Sequence, residues 1–255
     1  MKLRGYLALL FSCTALGVSD LIERLVIGPW VKLRPSRRTP ILARWIDLMA
    51  WFCTRPFVHI GGAVIPMPPK IVPALPGTLI VMNHQSLFDI PLMVQTVDGG
   101  YPRIVTRARY GRFIPLISHL VRLYQYPVVD PTANARALRA SIAALGEAGR
   151  DAQMPIGLYP EGTRTKDGEI GRFKGAGMKR LLSVRTWTVY VFVVDGFWQV
   201  AKLRDFLNGM ALIDGRIAHV GTLEWDDTSV DPTQFINETR DMMIQGLADL
   251  RTPAR

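Results

Sequence analysis

The chain has 255 residues, which fits one large domain or one domain with an appendage and excludes a long multidomain assembly. Hydrophobic residues make up 49% and charged residues 20%, too apolar a balance for intrinsic disorder. Thirty-one lysines and arginines against 21 acids leave a net charge of +10, which points to an anionic partner: phosphate head groups, nucleic acid or a phosphorylated substrate.

Residues 5–18 carry no charge and follow Lys2 and Arg4. This charged head and apolar middle share the plan of a signal peptide, although Thr14-Ala15-Leu16-Gly17 is a weak cleavage site. As a helix the run spans roughly 21 Å against a hydrocarbon core of ~30 Å, so it crosses a bilayer only if the helix extends past Asp20. A second segment, residues 41–53, sets Ile41, Trp45, Leu48 and Phe52 on one side and Arg44 and Asp47 on the other. Between the two lie Arg24, Lys32, Arg34, Arg37 and Arg38, flanked by Trp30 and Trp45, a mixture suited to the boundary between anionic head groups and acyl chains. Residues 1–60 therefore read as a membrane-associated helical hairpin lying in one leaflet. The alternative is an ordinary helical pair covering the rest of the chain.

Residues 61–255 read as one α/β domain. Short β-branched or aromatic runs at 78–82, 103–106, 126–129, 155–159 and 187–194 have the character of strands buried on both faces. Residues 133–149 keep Ala137, Leu138, Ser141, Ala144, Leu145 and Ala148 on one side, a helix that Gly149 can end, and residues 233–250 form another. This alternation predicts a mixed, largely parallel sheet flanked by helices. Residues 224–227, with Glu224, Asp226 and Asp227 around Trp225, read as a solvated loop.

Two constellations can carry chemistry. The strand at 78–82 runs into Asn83-His84-Gln85-Ser86-Leu87-Phe88-Asp89. An imidazole at the carboxyl end of a strand lies where open α/β sheets place ligands, and imidazole can take a proton from an alcohol while a carboxylate holds its other nitrogen. The five-residue offset would turn the two side chains about 140° apart on a helix, so the pairing requires a turn between them. Alternatively, Asp89 only caps a helix with Pro91 in its first turn. The second constellation follows the strand at 155–159: Pro160-Glu161-Gly162-Thr163-Arg164-Thr165, then Phe173-Lys174-Gly175-Ala176-Gly177. A glycine turn exposes backbone N–H groups, Arg164 offers a fork for phosphate, and Lys174 adds a second cation. With two cysteines, Cys13 and Cys53, and four scattered histidines, neither a disulfide scaffold nor a metal site is expected. No nucleic-acid-reading motif accompanies the basic charge, so nucleic acid is not the expected partner. His119 reads as a packed or surface histidine.

Together, Asn83 to Asp89 and Tyr159 to Thr165, with Phe173-Lys174-Gly175-Ala176 behind them, resemble the glycerolipid acyltransferase family, its lysophosphatidic acid acyltransferase group in particular. The similarity spans residues 75–200. It implies transfer of a fatty acyl group from coenzyme A or acyl carrier protein, as co-substrate and without a further cofactor, to a lysolipid hydroxyl. It also implies membrane lipids as partners and a place on the cytoplasmic face of the inner or plasma membrane. His84 and Asp89 would be catalytic, and Glu161, Gly162, Thr163, Arg164, Arg109 and Lys174 would bind substrate, with backbone N–H groups near Gly162 as oxyanion donors. One departure bears on the acceptor. The arginine expected after Asp130 is Pro131, so Arg107, Arg109 or Arg112 takes its place, or the head group differs from glycerol phosphate.

Overall fold

The computed structural model describes residues 2–111, 117–200 and 213–252. Helix α1 (Lys2–Ile22) does not stop at Asp20. Arg24 neutralises that carboxylate from one turn on, Nε to Oδ2 at 2.9 Å, and the helix continues through a π turn (Glu23–Ile27) into α2 (Gly28–Leu33). Pro29 lies inside this run immediately after the π turn, where the Gly28 N–H bonds the Glu23 carbonyl and the regular ladder is already interrupted. Leu3–Leu33 is thus one helical run of 31 residues whose apolar 18-residue stretch has a mean hydropathy of 1.6, long and apolar enough to cross a membrane. It packs against α3 (Arg38–His59) as a hairpin.

On the apolar side read from the sequence, Ile41, Trp45 and Phe52 are half-buried and Leu48 is exposed. Leu42, Ile46, Met49, Ala50 and Phe57 face the protein, whereas Leu48 and Trp51 are exposed. Sequence periodicity at this spacing fits either stripe, and packing against the sheet domain selects the one displaced by a residue.

The α/β part comprises β1 (Val72–Pro73), β2 (Thr78–Met82), α4 (Asp89–Gln95), β3 (Val97–Asp98), β4 (Arg103–Ile104), β5 (Thr106–Arg107), α5 (Ile117–Leu123), β6 (Val128–Val129), α6 (Ala135–Arg150), β7 (Ile156–Leu158), α7 (Gly175–Leu182), β8 (Trp187–Asp195), β9 (Arg216–Trp225) and α8 (Thr233–Arg251). The principal sheet has the order β4-β7-β2-β8-β9, parallel except for β9, which runs antiparallel to β8 at the edge. Strand β9 takes in Glu224, placed on a loop by the sequence reading. The Glu224 carboxylate accepts from the Thr188 hydroxyl across the pair at 2.9 Å, while Asp226 and Asp227 lie beyond the strand.

The central strand β2 is buried throughout and divides the core. Ile80 and Met82 join Leu42, Ile46, Phe57, Phe88, Phe192 and Val194 on one face, so the hairpin contributes directly to this half of the interior. Leu79 and Val81 join Ile156, Leu181, Val189, Val191 and Leu247 on the other. Three polar contacts tie the hairpin to the segment around α5. His119 Nδ1 lies 2.7 Å from the fully buried carboxylate of Glu23, which also accepts from Trp45 Nε1 at 3.0 Å. Tyr124 Oη donates to the Leu42 carbonyl at 3.0 Å, and Arg38 donates to the Leu123 carbonyl.

Candidate active site

The carboxyl end of β2 delivers Asn83, whose amide pairs with both the N–H and the carbonyl of Val194 at 2.8 and 2.9 Å and extends the parallel pairing with β8 by one side chain. Residues 83–88 then leave regular structure before α4 begins at Asp89, supplying the turn that the five-residue offset demands. Asp89 is fully buried, and its Oδ2 lies 2.8 Å from His84 Nδ1 while accepting from the Gln85 and Ser86 N–H groups at 2.6 and 2.8 Å. Asp89 does not cap α4, whose N-cap Phe88 makes no side-chain bond; its carboxylate closes the preceding turn and orients the imidazole. The His84 side chain keeps 17% of its surface exposed, its ring held from inside through Nδ1, and among the described residues no hydrogen bond engages Nε2.

The turn after β7 closes around the same histidine. The Tyr159 ring stacks on the imidazole with centroids 4.3 Å apart and planes 21° from parallel. Buried Glu161 accepts from the His84 N–H at 3.1 Å and from the Gly171 N–H at 2.9 Å. Burial pushes its carboxyl above the ordinary value, and these two donors pull it part of the way back. The Thr165 N–H donates to the His84 carbonyl at 2.8 Å, so the segment around Gly162 is fastened to the His84 turn at both of that residue's backbone groups.

Gly162 adopts φ +61°, and its N–H donates to the Tyr159 carbonyl at 3.0 Å. That N–H is spent inside the turn and is not one of the neighbouring N–H groups that could face an oxyanion. Lys174 reaches the turn: a Cβ placed on Gly162 would lie 3.6 Å from its Nζ. Thr163 stands exposed at the rim with Arg164 partly buried beside it. Arg109 is exposed, its guanidinium over the Tyr110 ring at 4.8 Å and bonded to that hydroxyl at 2.8 Å, and no hydrogen bond brings it to the turn. Arg107 does reach it, donating from Nη2 to the Gly162 carbonyl at 2.5 Å. The parallel pairing of β5 with β6 sets the Arg107 backbone opposite Val129, two residues before Pro131. Arg112 lies outside the described residues. Among the described residues no cluster of three or more His, Cys, Asp or Glu could hold a metal ion.

Residues 69–193 match the sequence profile of the family described as Acyltransferase. They form an acyltransferase-family domain. Both constellations fall inside it, and the hairpin and α8 lie outside. The chain is 28% identical over 182 residues to the 1-acyl-sn-glycerol-3-phosphate acyltransferase LPAT1, chloroplastic, of Arabidopsis thaliana. The match covers 68% of the chain and 48% of that protein, so the chain spans about half the length of the curated relative it matches. The crystal structure of the 1-acyl-sn-glycerophosphate (LPA) acyltransferase PlsC from Thermotoga maritima shares the fold, with a TM-score of 0.63, 19% identity, and coverage of 95% of this chain and 97% of the other. The acyltransferase domain holds one functional candidate to which sequence reading gave no role, Tyr159 as a platform for the imidazole, and it brings Arg107, one of the three arginines offered in place of the one missing after Asp130, to the turn.

Proposed function

We propose that the protein is an O-acyltransferase that moves a fatty acyl group from an acyl thioester, on coenzyme A or acyl carrier protein, to the free hydroxyl of a lysophospholipid. The acceptor we assign is 1-acyl-glycerol-3-phosphate, giving phosphatidic acid. The observation that carries this reading is the 2.8 Å contact between His84 Nδ1 and the buried Asp89 carboxylate, with Nε2 engaged by no hydrogen bond among the described residues. With Nδ1–H donated to Asp89, Nε2 takes the proton of the acceptor hydroxyl as its oxygen attacks the thioester carbonyl. The tetrahedral intermediate collapses with cleavage of the C–S bond, and the imidazolium returns its proton to the departing thiolate. The thioester is already activated, so the sequence needs no acyl-enzyme and no cofactor beyond the donor.

Lys174 and Arg107, converging on Gly162, and Arg164 in the adjoining loop are the assigned partners of the acceptor phosphate, with Glu161 holding the turn. Residues 1–60 are assigned as the membrane-associated hairpin and 61–255 as the acyltransferase unit, on the cytoplasmic face of the inner or plasma membrane. Support comes from Leu3, Leu10, Leu25 and Leu33, which stand 65–78% exposed, and from Lys32, Arg34 and Arg37, exposed where the helix turns back. Pro131 favours one second reading, the same chemistry on a lyso-aminolipid or glycolipid.

Assays of the purified protein with one acyl donor and a panel of lysolipids test the assignment. Transfer to lysophosphatidic acid is expected, falling by at least roughly 10²–10⁴ in His84→Ala with unaltered thermal unfolding. Turnover of another lysolipid while lysophosphatidic acid stays inert overturns the acceptor. No turnover with any acceptor overturns the enzyme and leaves a membrane-binding protein.

A further inference from the structure

Helix α8 lies outside the acyltransferase profile, yet it reaches the loop that links the two halves of the candidate site. Arg240 and Arg251 are eleven residues apart, about three turns, and so project from one face of α8. Arg240 donates from Nε to the Gly171 carbonyl at 3.1 Å and from Nη2 to the Ile170 carbonyl at 3.4 Å. Arg251 donates from Nη2 to the Gly168 carbonyl at 2.9 Å and from Nη1 to Glu169 at 2.6 Å. The same guanidinium grips Asp195, at the end of β8, through Nε at 2.9 Å and Nη2 at 3.1 Å.

The connection continues to the catalytic turn. Fully buried Gln85, next to His84, donates from Nε2 to the Gly168 carbonyl at 3.2 Å and to Asp195 at 3.1 Å, and accepts the Phe197 N–H at 3.0 Å. Asp195, Gly168 and Gln85 thus form one junction between the strand end, the loop and the turn that holds Asp89. Gly168 fits it only without a side chain: its φ is +87°, and a Cβ would lie 2.8 Å from Trp198 and 3.1 Å from the Arg251 guanidinium. Burial raises the Asp195 carboxyl, but the bonds from Arg251 and Gln85 outweigh it and hold it below the ordinary aspartate value, as expected of a carboxylate that works ionised.

We propose that α8 is a positioning element for the acceptor loop, with Arg251 and Arg240 as positioning residues that fix residues 163–171, and with them Arg164, against the His84 turn. The proposal rests on the acyl-transfer reading for its kinetic consequence only. Loosening this loop displaces the acceptor's anionic group, while the Asp89 carboxylate keeps its own bonds to His84 and to the Gln85 and Ser86 N–H groups. Small displacements of a reacting group are costly, so the effect falls on acceptor KM and, secondarily, on kcat.

The test uses the full-length protein. Arg251→Ala is expected to raise acceptor KM roughly tenfold or more while donor KM and the pH profile of kcat stay as in the unmodified protein. Arg251→Lys, which keeps the charge and loses the fork, stays nearer the alanine variant. Hydrogen exchange of residues 163–171 is expected to quicken in Arg251→Ala. If that variant does not fold, Arg240→Ala asks the same question with fewer bonds removed. An unchanged acceptor KM, an equal rise in both KM values, or unchanged exchange in the loop overturns the proposal. If the unmodified protein acylates no lysolipid, the acyl-transfer reading falls and the exchange measurement alone decides the clamp: faster exchange confined to 163–171 upholds it, and no change overturns it.

Discussion

Gly162 is constrained by backbone and chemistry at once. Its φ of +61° strains any residue with a Cβ, and that atom would meet Lys174 Cδ at 3.1 Å. Gly162→Ala is therefore expected to cost about 1–2 kcal/mol, lowering the melting temperature by a few degrees, and to push the ammonium off the turn, raising acceptor KM. Thermal unfolding with acceptor-varied kinetics checks both, and an unchanged melt would show that the turn relaxes at no cost. His84 and Asp89 were legible in the sequence because a strand of pure apolar residues ends abruptly in polar ones, and their offset permits pairing across a turn but not along a helix. Arg107 was not separable from Arg109. Two arginines two residues apart would share a face if the strand continued, but β5 ends at Arg107 and a helical turn follows, sending Arg109 outward to Tyr110. Nor does spacing show that Gly162 spends its N–H on Tyr159.

At the scale of elements, the strands of the parallel sheet were legible from their apolar runs, and α6 and α8 from their periodicity. Strand β9 was not, because an edge strand with one half-solvated face carries Gly221, Thr222 and Glu224 where an interior strand would carry valines. The length of α1 was hidden for a related reason. Asp20, Glu23 and Arg24 look like the end of an apolar segment, but Arg24 satisfies Asp20 locally and Glu23 finds Trp45 and His119, which lie 22 and 96 residues away in sequence. That buried carboxylate sits at the π turn, joining both arms of the hairpin to α5. Glu23→Ala would leave His119 and the Trp45 indole facing a cavity. A loss of about 3–5 kcal/mol is expected by analogy with buried pairs stripped of one partner, readable by denaturant titration. A midpoint unchanged from the parent protein would contradict the latch.

Over the whole molecule, charge and apolar surface combine at one end. The leucines of the α1–α2 run project outward, and Lys32, Arg34 and Arg37 follow them at the bend. The purified protein is expected to cosediment with anionic vesicles. Replacing Arg34 and Arg37 by Gln should weaken binding roughly fivefold for each charge removed, and added salt should lessen the difference. Retention in the supernatant at low salt would contradict the membrane assignment.

The hairpin is more than an attachment. Leu42, Ile46 and Phe57 of α3 occupy the same apolar interior as Ile80, Phe88 and Phe192, directly behind the turn that bears His84. Severing the chain near residue 60 to obtain a water-soluble fragment would strip the roof from that half of the sheet, exchanging a greasy exterior for an open wound beneath His84. Whatever keeps this protein at a lipid surface is also part of what keeps it folded.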